Sequence, residues 1–135
     1  MYSNILVPIS FDEDRDAVGA LEIAGAIAAE GAKITLIHVM EQIPAYAISY
    51  MSADYMAQSR RAIEEELAQM AEGVPGAIGL VIDGHSGRAI LDYAERDKTD
   101  CIIIASHRPG MQDLFLGSTA SQVVRHATCA VHVIR

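Results

Sequence analysis

Five short, nearly all-apolar runs constrain this chain more than any other feature. They occupy residues 4–9 (NILVPI), 33–39 (KITLIHV), 78–83 (IGLVID), 100–105 (DCIIIA) and 130–134 (AVHVI). A strand with one face in water alternates apolar and polar residues, and these runs do not alternate. Each therefore reads as a strand covered on both faces. The segments between them are too long for hairpins and carry helical spacing, which calls for parallel pairing with helical crossovers. The predicted fold is α/β: a single doubly wound, five-stranded parallel sheet of order 3-2-1-4-5 with helices on both faces.

The intervening segments support this alternation. Asp12, Glu13 and Asp14 place acid at a helix start, where the helix dipole favours it. Ala17, Leu21, Ala24 and Ala28 continue at helical spacing, and Gly31 is the expected stop. Residues 40–52, with Pro44, read as one long loop. Residues 53–72 read as a helix with Ile63, Leu67 and Met70 on one face and Glu64, Glu65 and Glu66 on the other, ended by Pro75 and Gly76. Gly79 weakens the third strand. Residues 84–87 form a turn in which Ser86 is expected to cap a helix over 87–95. Gly117, Ser118 and Thr119 open a last helix that runs to about His126.

A length of 135 residues suits one domain spanning 1–135, and 51% apolar residues supply its core. No apolar run approaches the roughly 20 residues of a membrane span. The start of the chain has no basic stretch leading into a long apolar segment, so the expected location is the cytoplasm. The net charge of −8 argues against nucleic acid and anionic lipid as partners. A small phosphate ligand remains open, because converging backbone amides can hold one against an unfavourable overall field. Cys101 and Cys129 lack metal-ligand or redox-motif spacing and are expected to be reduced, buried thiols.

In an open parallel sheet, ligands sit beyond the carboxyl ends of the strands where the strand order reverses. Here that crevice lies between the first and fourth strands, at Pro8, Ile9 and Ser10 on one side and Ala105, Ser106, His107 and Arg108 on the other. The loop from the fourth strand returns to Gly117, Ser118 and Thr119 at a helix start. Such a start offers unpaired N–H groups, a favourable dipole for an anion and two hydroxyls. Arg108 can add a bidentate cation, and His107 can donate or cover a sugar. A Gly-Ser-Thr helix start alone is weak evidence, and its place at the crevice is what raises the phosphate reading. No Ser-His-Asp spacing, metal cluster or phosphate-loop lysine is present, so a binding or sensing module is favoured over an enzyme. Asp12, Asp14 and Asp83 sit where a phosphoacceptor domain keeps its acids, but the last strand ends in Arg135 without the lysine such a domain needs.

Residues 102–135, IIIASHRPGMQDLFLGSTASQVVRHATCAVHVIR, resemble the carboxyl-terminal signature of the universal stress proteins, most closely the F and G branch with its ASHRP and LGS elements. The early ILVPI and LIHV runs and the loop with Pro44, Ala45 and Tyr46 are similar as well. The resemblance implies an adenine nucleotide alpha hydrolase-like fold and a homodimer acting as a stress-response sensor or regulator. It also implies a bound adenine nucleotide: ATP, with AMP or ADP as alternatives, accompanied by Mg2+ held through the phosphates. By position, Val39 would offer backbone groups to the adenine edge, and Pro8, Ile9 and Ile104 would flank the base. Ser10 and Ala105 would lie near the ribose, and Ser106, His107, Arg108, Gly117, Ser118 and Thr119 would lie along the phosphates. Two departures stand out. The family's G-x-x-G-x9-G-[ST] pattern has Ala105 and Arg108 at its first two glycines with an eight-residue spacer, and Ser10 replaces the usual aspartate. A nucleotide-free interaction protein and a slow ATPase are the alternative readings.

The strand at 130–134 is expected at the sheet edge, where the resemblance implies pairing with a second copy and brings His132 toward its mate. Tyr46, Tyr50, Met51 and Tyr55 form an aromatic and sulfur cluster that reads equally as a lid, a partner surface or a cover for the sheet edge.

Overall fold

The computed structural model describes residues 1–11, 17–41, 43, 45–48, 52–106 and 117–135. In chain order its elements are β1 (Tyr2–Pro8), α1 (Ala17–Ile27), β2 (Ala28–Met40), α2 (Ala45–Ile48), α3 (Ala53–Glu72), β3 (Ala77–Asp83), α4 (Ser86–Arg96), β4 (Cys101–Ala105), α5 (Ser118–His126) and β5 (Ala130–Ile134). The five strands form one sheet in the order β3-β2-β1-β4-β5, and every recorded pairing is parallel. The expected doubly wound α/β architecture is the observed one.

The winding follows from crossover handedness. The chain moves from β1 outward through β2 to β3, then returns past β1 to β4 and on to β5. Right-handed crossovers in opposite directions put their helices on opposite faces. Accordingly, one core packs Ile5, Val7, Ile34, Leu36 and Ile103 with residues of α1 and α3, including Ala20, Ala24 and Leu67. The other packs Leu6, Ile37, Ile102 and Ile104 with residues of α4 and α5, including Ile90, Ala94, Ala120 and Val123. Both faces of β1 and β4 are buried, which explains why their sequences do not alternate.

Several local expectations are corrected. The first helix stops at Ile27, and Ala28 belongs to β2, where it pairs with Tyr2. The next recorded pair is Asn4 with Lys33, so the longer stretch on β2 is taken up as an irregularity that contains Gly31 at φ 74°. Gly31 thus serves a bend within β2 and does not end the helix. The segment read as one loop over 40–52 contains the short helix α2. Ser52 caps α3 by accepting the Tyr55 amide at 3.0 Å. Ser86 is not a cap: His85 holds that position without a side-chain bond, and the Ser86 hydroxyl donates to Glu41 Oε1 at 2.9 Å. Cys101 is buried as expected, while Cys129 is only partly so.

Candidate functional site

The site originates in a split of the sheet. Pairing between β1 and β2 runs on to Pro8 with Ile37, and pairing between β4 and β5 runs on to Ala105 with Ile134. Among the described residues, pairing between β1 and β4 is confined to Ile5 with Cys101 and Leu6 with Ile102. The two central strands therefore part toward their carboxyl ends, and a crevice of about 180 Å3 opens between them. This is the reversal point of the strand order, where parallel sheets hold their ligands.

Its walls come from several elements. Pro8, Ile9 and Ser10 line it from the end of β1, and Ile104 and Ala105 from the end of β4. Ile37, His38 and Val39 contribute from β2, Ala17 and Ala20 from α1, Ser86 and Ile90 from α4, and Thr119 from α5. The combination of apolar walls with a few hydroxyls, one imidazole and one helix start suits an amphipathic ligand such as a nucleoside.

The strand ends are held rigidly. The Ile9 amide donates to the Ile37 carbonyl at 2.7 Å, which carries the β1–β2 ladder one residue past β1. The Ser106 amide donates to Ile134 at 2.8 Å, and the Ser106 carbonyl accepts the Gly117 amide at 2.8 Å. Fully buried Ser106 therefore joins the end of β4 to the start of α5. Gly117 is the N-cap of α5 in extended geometry, and its carbonyl accepts the Ser121 amide at 2.8 Å. The Ser118, Thr119 and Ala120 amides form the first turn, whose N–H groups have no intrahelical acceptor.

Of the residues singled out from sequence, Pro8, Ile9, Ser10, Val39, Ile104, Ala105 and Thr119 come together on the crevice wall. Ser106 lies buried behind it, Gly117 holds the adjoining cap and Ser118 is exposed. His107 and Arg108 lie outside the described residues, as do Tyr50 and Met51. Tyr46 and Tyr55 are exposed. Sequence reasoning missed Ala17, Ala20, Ile37, His38 and Ile90. The Ala17 and Ala20 signal was a pair of small residues three apart at a helix start, on the side facing the crevice. The His38 signal was a lone imidazole near the carboxyl end of an apolar strand.

Two contacts organise the crevice rim. His38 Nδ1 lies 2.8 Å from the Ile9 carbonyl oxygen, and its ring meets the Phe11 ring at a centroid distance of 5.0 Å. Asp83, at the end of β3, takes Arg60 Nη1 at 2.9 Å while Arg60 Nη2 donates to the Val81 carbonyl at 2.9 Å. Asp83 is thus tied to α3, and Asp12 and Asp14, the other acids of the phosphoacceptor reading, lie outside the described residues. No group of three or more His, Cys, Asp or Glu residues that could hold a metal occurs among the described residues. No helix among them is long and apolar enough to cross a membrane.

The chain is similar to known proteins over nearly its whole length. A universal stress protein of Thermus aquaticus is 31% identical over 143 aligned positions, covering all of both chains. Universal stress protein G of Salmonella typhimurium is 29% identical, again over the whole of both. The structure of the universal stress protein UspA from Lactobacillus plantarum superposes with a TM-score of 0.78 at 27% identity, covering 99% of this chain and 98% of that one. Two more distant structures share the fold. One, from Archaeoglobus fulgidus in complex with dAMP, has a TM-score of 0.66 at 19% identity, covering 99% of this chain and 98% of that one. The other, from Arabidopsis thaliana with AMP bound, has a TM-score of 0.64 at 18% identity, covering 98% and 90%. With the universal stress protein family model matching residues 1–135 as well, this chain belongs to the universal stress protein family.

Proposed function

We propose that this chain binds an adenine nucleotide in the crevice between β1 and β4, and that it acts as a dimeric cytoplasmic stress-response sensor or regulator rather than as an enzyme. ATP is the first expected occupant, with AMP and ADP as alternatives. The observation that carries the reading is the parting of β1 from β4 beyond Leu6 and Ile102, which leaves an amphipathic crevice beside the first turn of α5. Related folds solved with dAMP and AMP support it.

In this reading the base lies against Pro8, Ile9 and Ile104, with its edge toward the backbone at Val39. The ribose lies near Ser10 and Ala105. The phosphates lie toward Thr119 and the first-turn amides of α5, where the helix dipole favours an anion. Ser106, His107, Arg108, Gly117 and Ser118 complete the expected phosphate side. Any Mg2+ would be held through the phosphates and water, since the described residues supply no carboxylate cluster for it. A second copy would pair along β5, the strand at one end of the sheet order, where Ala130 and His132 are exposed.

One observation favours the nucleotide-free alternative. The Gly117 amide is already bonded to Ser106, so it is not available to a phosphate, and the anion seat rests on fewer amides than the sequence pattern offered.

The deciding experiment is acid extraction of the purified protein with chromatography of the released nucleotides, together with thermal unfolding in ATP, ADP and AMP. Recovery of an adenine nucleotide, or a concentration-dependent rise in Tm, is the expected result. The Gly117→Val and Ser118→Ala double variant should stay folded and lose that rise. No recovered nucleotide and no shift with any of the three would overturn the reading in favour of an interaction protein.

A further inference from the structure

His38 has a role in the crevice that follows from one hydrogen bond. Its Nδ1 lies 2.8 Å from the Ile9 carbonyl oxygen. A carbonyl can only accept, so Nδ1 carries the proton of that bond. In the neutral ring the other nitrogen, Nε2, is then bare and can only accept. No other hydrogen bond of His38 is recorded among the described residues, and Nε2 is not among the buried atoms left without a partner. His38 also lines the crevice, next to Val39 on the same strand and with its ring against Phe11.

We infer that His38 is a specificity-determining residue of this site: the Ile9 carbonyl locks its tautomer so that Nε2 presents a hydrogen-bond acceptor to a donor on the bound nucleoside. This deepens the proposed function and rests on it. Among the described residues the other polar side chains on the crevice wall are hydroxyls: Ser86 already donates its proton to Glu41, and those of Ser10 and Thr119 are rotors whose donor or acceptor role follows their partners, so they discriminate weakly. A locked imidazole is different, because it rejects a ligand that presents a second acceptor in its path. AMP offers three donors of the right kind, the exocyclic amine of adenine and the 2′- and 3′-hydroxyls of the ribose. A site built around such a donor loses affinity for the analogue that lacks it, since its own acceptor is then left unpaired.

The test uses the full-length protein at pH 8, where an ordinary imidazole is neutral. Binding of AMP, IMP, 2′-dAMP and 3′-dAMP is measured by calorimetry for the wild type and for His38→Phe, which keeps a ring against Phe11 but has no acceptor. Nitrogen-15 NMR of the wild-type histidines reads the tautomer directly, so the inference stays testable if the variant does not fold. The expected spectrum shows His38 protonated at Nδ1, with the Nε2 resonance moving when AMP saturates the site. If the base amine is the donor, IMP binds roughly fivefold more weakly than AMP in the wild type and equally in His38→Phe. If a ribose hydroxyl is the donor, the deoxynucleotide that lacks that hydroxyl takes the place of IMP in that pattern. AMP binding with an unmoved Nε2 and no preference altered by His38→Phe would overturn the inference while leaving nucleotide binding intact. A proton found on Nε2 would overturn it on its own. No binding of any of the four would remove both this inference and the function beneath it.

Discussion

Gly79 lies directly against Leu67: a methyl carbon at position 79 would stand 2.7 Å from Leu67 Cβ and 3.2 Å from its carbonyl carbon. This is how α3 comes down onto β3 and how fully buried Leu67 reaches the core. Gly79→Ala should therefore destabilise the fold by about 2 kcal/mol, although alanine is ordinarily the better strand residue, because overpacking a close helix–sheet contact outweighs the backbone entropy gained. Urea unfolding should show a lower midpoint with an unchanged slope. An unchanged or raised midpoint would mean that α3 does not sit this close.

The tie between Arg60 and Asp83 is half exposed, so its electrostatic value is small. Asp83→Asn should cost less than about 1 kcal/mol, and most of that should vanish at high salt. Arg60→Ala should cost more than Asp83→Asn, because it also removes the donor to the Val81 carbonyl and the aliphatic stem. A double-mutant cycle in low and high salt separates the two contributions. Equal costs for both single variants would show that the carbonyl bond contributes nothing.

Burial pushes the Cys101 thiol up from 9.0 to about 11. The folded state thus favours the neutral thiol, and the sign of the linkage follows. The stabilisation is fully present below about pH 9 and is lost as pH rises toward 11, since only the unfolded chain ionises in that window. The loss is at most about 2–3 kcal/mol. Urea unfolding at pH 8 and pH 10.5 should show a fall in stability that Cys101→Val largely removes. In the folded protein at pH 8 a thiol reagent should modify Cys129 well before Cys101, because Cys101 is buried and Cys129 only partly so. Modification of Cys101 first, or an alkaline fall unchanged by its replacement, would contradict this.

Lys33 and Asp97 meet at 2.9 Å, and the hydrogen bond to Asp97 raises the Lys33 pKa above its usual 10.5. Its small contribution is present below that value and is lost as pH climbs through the raised one. Asp97 also accepts from the Asn4 side chain, at its carbonyl and its carboxylate, so it links α4's end to β1 and β2. Asp97→Ala keeps the carbonyl acceptor but removes the carboxylate from both Lys33 and Asn4, so it should destabilise more than Lys33→Met, measured by urea unfolding at neutral pH. The reverse order would show that the carboxylate's bond to Asn4 carries no stability.

The strands and their order were legible because a doubly covered strand cannot alternate, and because parallel crossovers leave few ways to connect five of them. What could not be read locally was decided by distant partners. Ala28 fits the apolar stripe of Ala17, Leu21 and Ala24, yet it pairs with Tyr2 and leaves the helix. Ser86 has the chemistry of a cap, yet Glu41, far back in the chain, takes its hydroxyl. Gly79 looked like a weakness in β3 until Leu67 was seen against it. The crevice was legible at Pro8, Ile9, Ser10 and Ala105, since the reversal point follows from strand order alone. His38 was not, because an imidazole within an apolar strand shows its function only through the carbonyl it meets.

Ser10 provides the last prediction. It lines the crevice at the end of β1, where the family ordinarily has aspartate. A hydroxyl there offers a single donor and a limited acceptor, whereas a carboxylate can accept from both hydroxyls of a ribose diol at once. Charge-assisted bonds of that kind are stronger than neutral ones. Ser10→Asp should therefore tighten binding of AMP by about fivefold, corresponding to one additional hydrogen bond of about 1 kcal/mol. The gain should disappear for dAMP, which lacks one of the two hydroxyls. The added charge also repels phosphate, so the gain should be greatest for adenosine and smaller for AMP, and smallest for ATP. Calorimetry across adenosine, AMP, ATP and dAMP checks the ordering. An equal effect on dAMP and AMP would place the ribose away from Ser10 and require the nucleoside to lie the other way round in the crevice.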